Sequence, residues 1–281
     1  MSGTIRYLTD PALAPIFWPG VIVGLGVGVM CSALSVFVVL KRLSFIGQGI
    51  SHAAFGGIGL AVALGLGAGA PQLGVVALFC LGSAWAVARL SDRRTTTADT
   101  AIGIVLVASM ALGAILLSRA FRGAPRNWES ILFGSIVGVG WADARLAWGV
   151  AAAIVVALWG ARRSLLFWAF DEPAAEAFGV RGSRVRLLLM VLLTLAIVAS
   201  MKLAGVVLAT ALLVLPGAAA LHLSDRLRAV LALSLSIGVL GVIGGLVLSF
   251  ESDWPTGPSI VSVLTVLYAA ARIGGRMRRS D

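Results

Sequence analysis

FIGQGISHAAFGGIGLAVALGLGAG, from Phe45 to Gly69, is long and apolar enough to cross a bilayer as one helix, and it carries His52 inside the hydrocarbon. An imidazole at that depth needs a partner or a purpose, because a polar group without one is expensive there. Ser44, Gln48, His52 and Gly56 follow one another every four residues, so a hydroxyl, an amide and an imidazole share one helical stripe. Gly49, Ala53 and Gly57 form a neighbouring stripe of small residues that lets a second helix approach closely. The helix is therefore expected in the protein interior, with its polar stripe on a cavity or seam. Two readings of His52 stand at this point: a hydrogen bond to a neighbouring helix, or a ligand on a substrate path.

The remainder of the chain is of the same kind. Of 281 residues, 59% are hydrophobic and 12% charged, and the mean hydropathy is +1.02, which no ordinary soluble domain shows. A net charge of +10 would suggest a nucleic-acid partner in a soluble protein. Here the basic residues sit in short clusters between apolar spans, so they signal membrane orientation and nucleic acid is excluded. Cys31 and Cys80 fall inside apolar spans without CxxC or CxxH partners and read as small core residues. The first apolar span is too long for a signal peptide and lacks a basic n-region before it, so it is expected to remain as an anchor.

Nine spans are cut from the hydropathy: Ile16–Leu40, Phe45–Gly69, Leu73–Leu90, Thr100–Ser118, Ala144–Gly160, Val185–Ser200, Leu203–Leu221, Ala229–Phe250 and Ser259–Ile273. Only Met201 and Lys202 separate the sixth from the seventh, so a count of eight is also open. With the N-terminus outside, sixteen of the 22 basic residues fall on the cytoplasmic side. These are Lys41, Arg42, Arg89, Arg93, Arg94, Arg162, Arg163, Arg181, Arg184, Arg186, Arg226, Arg228, Arg272, Arg276, Arg278 and Arg279. Arg6, Arg119, Arg122, Arg126, Arg145 and Lys202 fall outside. The expectation is an all-α polytopic membrane protein of about nine transmembrane helices, one transmembrane domain over residues 1–281, N-terminus outside and C-terminus cytoplasmic.

Gly20, Gly24, Gly28 and Ser32 in the first span, and Gly241, Gly245 and Ser249 in the eighth, recur every four residues and predict tight helix contacts. Pro216 and Gly217 lie deep in the seventh span and are expected to kink or break it, a hinge candidate. The cytoplasmic connection Ala161–Arg184 contains FDEPAAEAFGV, Phe170 to Val180, with Pro173 suited to a first helical turn and Gly179 to a C-terminal cap. Asp171 and Glu172 favour the positive end of that short helix. The outer stretch ESDWPTGP, Glu251 to Pro258, places Asp253 and an interfacial Trp254 at the rim; Asp253 serves either turn donors or an attractive field for a cation. His222 stands at a cytoplasmic helix end beside Asp225 and reads as a surface residue. There is no GxxxxGK[ST], HExxH or GxSxG, so the chain is expected not to be an enzyme.

Several of these segments, taken in order, resemble the permeases of the metal-transporting ABC importers for zinc, manganese and iron, sometimes called ABC-3. KRLSFIGQGISHAAFGG from Lys41 to Gly57, DTAIGIVL from Asp99, ILFGSIVGV from Ile131, FDEPAAEAFGV, AGVVLATALLVLPGAAA from Ala204 to Ala220 and SDWPTGPSIV from Ser252 carry the resemblance over nearly the whole chain. It implies a bacterial inner-membrane permease subunit, paired with a second permease as a homodimer and set among membrane lipid. Cytoplasmic ABC ATPase subunits would carry ATP and Mg, an extracytoplasmic metal-binding protein would deliver a divalent metal as substrate, and this chain would hold no cofactor of its own. The resemblance also makes Phe170, Asp171, Glu172, Pro173, Ala174, Glu176, Gly179 and Val180 the ATPase coupling segment. An aspartate and a histidine four residues apart are associated with the metal path in that family. The histidine maps onto His52, whereas Gln48 stands in the aspartate position, keeping an oxygen donor and losing the negative charge. Importers of another cargo such as a metal chelate, and an ATPase-independent secondary carrier, are the competing expectations.

Overall fold

The computed structural model describes residues 4, 7, 10–67, 69–91, 97–120, 134 and 138–280. Most of the ILFGSIVGV motif, and Arg6, Arg93, Arg94, Arg122 and Arg126 of the charge pattern, lie outside the described residues. Among the described residues the regular structure is entirely helical. The helices are α1 (Ala14–Leu40), α2 (Ser44–Ala63), α3 (Ala70–Ser91), α4 (Ala98–Ala120), α5 (Trp141–Phe170), α6 (Glu172–Ala177), α7 (Gly182–Leu223), α8 (Leu227–Ser252) and α9 (Thr256–Ser280). Among the described residues eight helices are long and apolar enough to span a membrane, and Val207–Leu223 is a shorter apolar helix.

α1 is the axis of the bundle. It is apolar on every side, and 78% of its most apolar stretch is buried, against 22% for α5 at the periphery. A helix hydrophobic all round must be enclosed, and α7, α8 and α5 enclose this one. The Trp148 indole of α5 donates to the Ile22 carbonyl at 3.0 Å, with Gly26 making room for the ring. Ser234 of α8 donates to the Ser32 carbonyl at 2.8 Å, and a Cβ on Gly28 would meet Val242 at 3.1 Å. The glycine stripes of α1 and α8 therefore do pack closely, as small residues permit.

α7 turns back on itself. Arg186 near its start reaches Glu172, which also holds Lys41 at the end of α1. Gly217 near its finish donates its N–H to Ser35, also close to that end of α1, at 2.8 Å. In an unbroken helix residues 186 and 217 would stand about 46 Å apart. The chain reverses at Gly205, the one residue of α7 with non-helical angles, at φ 61° and ψ −179°. That conformation is essentially closed to any residue with a Cβ. Gly182–Met201 and Val207–Leu223 are thus two arms that meet at Gly205; the first is long enough to span a membrane, and the second, where the hydropathy set its seventh span, is a shorter apolar helix.

Three boundaries differ from the hydropathy. α2 ends at Ala63 and not Gly69, because Gly65 takes a left-handed φ of 73° and the Leu66 and Gly65 amides bond back to Ala61 and Val62. α5 runs on to Phe170, since nothing between Gly160 and Phe170 stops a helix, so most of the expected connection from Ala161 is helical. The backbone stays helical through Pro216 and Gly217, and the discontinuity of α7 stands at Gly205 instead. The Ser35 hydroxyl receives the Gly217 N–H, which shows how the ladder is repaired beside the proline.

Candidate functional site

α2 is pressed into the bundle on one side and open on another. A Cβ on Gly49 would meet Ile102 of α4 at 3.0 Å, one on Gly57 would meet Val76 of α3 at 3.0 Å, and one on Gly59 would meet Gly113 of α4 at 2.8 Å. Ala53 is fully buried between them. Cys80 of α3 points its thiol at the Ile50 carbonyl at 3.6 Å, and both Cys31 and Cys80 are buried free thiols. Gly56 ends the polar stripe against the Ser109 carbonyl.

Further down that stripe the packing opens. His52 is half-buried, its Nδ1 shielded from solvent and without a hydrogen-bond partner, while Gln48 is exposed. Beside His52, the Ser51 hydroxyl is fully buried and also without a partner. His52 lies eight residues into α2, about 12 Å along its axis from Ser44. A Cβ on Gly47 would meet Leu213 of the second α7 arm at 4.0 Å. Counting along these antiparallel helices sets His52 about one turn, roughly 5 Å, from the depth of the Gly205 reversal. Among the described residues no three His, Cys, Asp or Glu side chains gather in one place.

The Phe170–Val180 segment forms the capped helix that its residues predict. Asp171 accepts the Ala174 N–H at 2.9 Å, Pro173 sits in the first turn, and Gly179 at φ 86° closes the end, with the Gly179 and Val180 amides bonded to Glu176 and Ala175. Ala175 is fully buried and holds α6 down, whereas Phe178 is 81% exposed and Phe170 66% exposed. The Phe167 and Phe178 rings meet at 5.8 Å.

Glu172 faces inward from the same helix. Its carboxylate takes Lys41 at 2.9 Å and Arg186 at 3.1 Å, and the Lys41 ammonium lies 3.9 Å from the centroid of the Trp168 ring. The hydrogen bond from Lys41 holds the Glu172 carboxyl below the usual glutamate range, against the opposing pull of partial burial. Lys41, Trp168 and Arg186 carry no local signal in the sequence that would join them to Glu172.

At the opposite end of the bundle Asp253 caps α8 with a left-handed φ of 52°, and its carboxylate accepts from the Tyr7 hydroxyl at 3.2 Å. Tyr7, Phe17, Phe250, Asp253 and Trp254 line a cavity of about 330 Å³ there. His222 packs on Tyr268 at 5.7 Å, away from the other sites. Pro216 and Gly217 lie beside Ser35, in the same seam as α1 and not on the α2 stripe.

The fold is a bundle of apolar helices wound around one enclosed helix, with a short capped helix flanked by exposed phenylalanines at one end. The chain is a member of the ABC 3 transport family, whose model matches residues 14–274. It is 34% identical over 247 residues to the "Manganese transport system membrane protein MntC" of Halalkalibacterium halodurans, covering 87% of this chain and 82% of that one. It is 30% identical over 275 residues to the "Chelated iron transport system membrane protein YfeD" of Yersinia pestis, covering 97% and 90%. The solved structure "PsaBC from Streptococcus pneumoniae in complex with Fab" superposes with a TM-score of 0.84 at 30% identity, over 96% of this chain and 94% of that one. The chain is a multi-pass permease subunit of a bacterial cell-membrane ABC transporter and not itself an enzyme, which removes the ATPase-independent carrier.

Proposed function

We propose that this chain is the permease of an ATP-driven importer that moves a divalent transition metal, manganese or iron foremost and zinc within reach of the same ligands. Residues 1–281 form its single permease domain, and residues 170–180 are its coupling segment. One observation carries this reading: on one face of α2 Gln48 is exposed and His52 half-buried, with the His52 Nδ1 shielded and without a partner. A second copy of the chain set against that face doubles the donor set, so that two imidazoles and two amides line the path. Neutral donors hold a cation in passing without trapping it, which a carrier requires. Ligation uses the unprotonated imidazole.

The other parts follow from this axis. The ATPase subunits, with their ATP and Mg, dock on the exposed Phe170 and Phe178 that flank α6. ATP-driven closure there switches access to the His52 path between the two ends of the bundle. The extracytoplasmic binding protein delivers its metal at the end marked by Asp253, and lipid surrounds the peripheral helices. Pro216 and Gly217, held by Ser35, serve as a hinge for the second α7 arm.

The test is uptake of manganese, iron and zinc by the complex in proteoliposomes. His52→Ala is expected to lower uptake by about tenfold or more, and Gln48→Asp to tighten metal affinity by about tenfold, since a carboxylate attracts a hard dication more than an amide does. Unchanged uptake by His52→Ala would sink the path. A chelated metal is the second reading, favoured by the absent negative charge at Gln48 and by the name of the Yersinia relative. Transport of the chelate in preference to the free ion would select it.

A further inference from the structure

The coupling segment is tied to the α1–α2 corner through Lys41. This residue is the C-cap of α1, with its side chain 14% exposed. Its ammonium joins three elements at once: the end of α1, the Trp168 ring in the last turn of α5, and Glu172 at the first position of α6. The other Glu172 oxygen takes Arg186 near the start of α7. Ion pairs in open water contribute little, because water competes and both chains lose freedom. This one is sheltered and stacked on an indole that is 2% exposed, an arrangement that fixes its geometry.

The corner behind Lys41 is stiff. Arg42 adopts a left-handed φ of 55°, its N–H donates to Val39 at 3.1 Å, and the Leu43 N–H donates to Val38 at 2.8 Å. This paired bonding closes α1 in a Schellman turn, and α2 begins immediately after it at Ser44. Only Arg42 and Leu43 separate the cation that grips α6 from the helix that presents Gln48 and His52.

We propose that Lys41 is a positioning residue for transport, carrying displacements of α6 through the Glu172 ion pair into the rigid α1–α2 corner and so into the Gln48–His52 helix. Its side chain is sheltered within the permease and bound to Glu172 and the Trp168 ring. The inference rests on the reading of α6 as the ATPase contact.

The experiment uses the assembled complex of permease, ATPase and binding protein in proteoliposomes, scored as metal taken up per ATP hydrolysed, with thermal stability measured in parallel. Lys41→Met keeps the apolar stem and removes the charge, Glu172→Gln removes the acceptor charge, and Lys41→Arg keeps a cation for both the carboxylate and the ring. Each neutral variant is expected to lower uptake per ATP by about tenfold, with ATPase copurification and melting temperature close to wild type. The Lys41→Met/Glu172→Gln double variant is expected to be no worse than Lys41→Met, and Lys41→Arg to recover to within about threefold of wild type. The proposal is overturned if Lys41→Met keeps wild-type uptake per ATP, if the two losses add, or if uptake falls only in step with folded protein. Phe178→Asp separates the two levels. ATPase that copurifies equally well with that variant removes the coupling reading of α6, whereas ATPase lost with Phe178→Asp and uptake kept with Lys41→Met removes the Lys41 proposal alone.

Discussion

Two faces of this bundle use the same vocabulary of small and polar residues every four positions, yet they are finished differently. Along α1 two bonds cross between helices: Ser35 takes the Gly217 N–H, and the Ser32 carbonyl takes the Ser234 hydroxyl, while the Ser32 hydroxyl is buried without a partner. Glycine lets the opposing helices close over them, with Gly238 pressed on the Ser32 side chain. Along α2 the glycines close one face only, while Gln48 stays exposed and the Nδ1 of His52 finds no partner. Spacing alone therefore distinguishes nothing. The seam along α1 is closed by helix contacts, whereas the stripe along α2 leaves Gln48 exposed.

The largest expected effect lies in the closed seam. Gly217→Val would place a Cβ 2.7 Å from the Ser35 carbonyl, where backbone must move, and should destabilise the protein by about 3 kcal/mol or more. Melting in detergent reads this directly, and a variant as stable as wild type would break the contrast. Ser35→Ala should be milder, about 1–3 kcal/mol, since it leaves the buried Gly217 N–H unpaired. His52→Ala sharpens the contrast from the other side, because it should change stability by no more than about 0.5 kcal/mol while transport falls. Equal damage to stability from Ser35→Ala and His52→Ala would mean that both faces are packing.

The smallest effect concerns pH at the Lys41 end. The Glu172 pKa lies below its ordinary value in the folded protein, chiefly through Lys41, with Arg186 adding to it. A depressed carboxylate stabilises above its unfolded pKa and loses that contribution as pH falls through the folded one. The stability difference between wild type and Glu172→Gln should therefore stay flat from neutral pH down to the usual glutamate range, about 4.3, and close only in more acid solution. A difference that varies between pH 6 and 8 would place its origin elsewhere.

Much of the fold was legible. The spans are set by local hydropathy, and the caps of α6 by Asp171, Pro173 and Gly179, whose bonds reach no further than four residues. His52 on the α2 stripe and the capped helix within Phe170–Val180 were legible as local patterns, because an imidazole in an apolar span and a proline-started, glycine-ended turn are both unusual in so apolar a chain. The reversal of α7 was half legible. Met201 and Lys202 marked a weak cut, but Pro216 drew the expectation of a break although a neighbouring hydroxyl can repair a proline in a membrane helix, and Gly205 is where the backbone departs.

Sequence by itself determined that this chain lives in a membrane, where its helices start and stop within a few residues, and which helix carries the polar stripe, because each of these follows from residues close together along the chain. Tertiary structure alone decided that the two arms of α7 return to one end, that one polar stripe closes and the other stays open, and that Lys41 grips Glu172 across 131 residues. The physical reason is that burial and pairing belong to two surfaces at once, and a stretch of sequence describes only one of them.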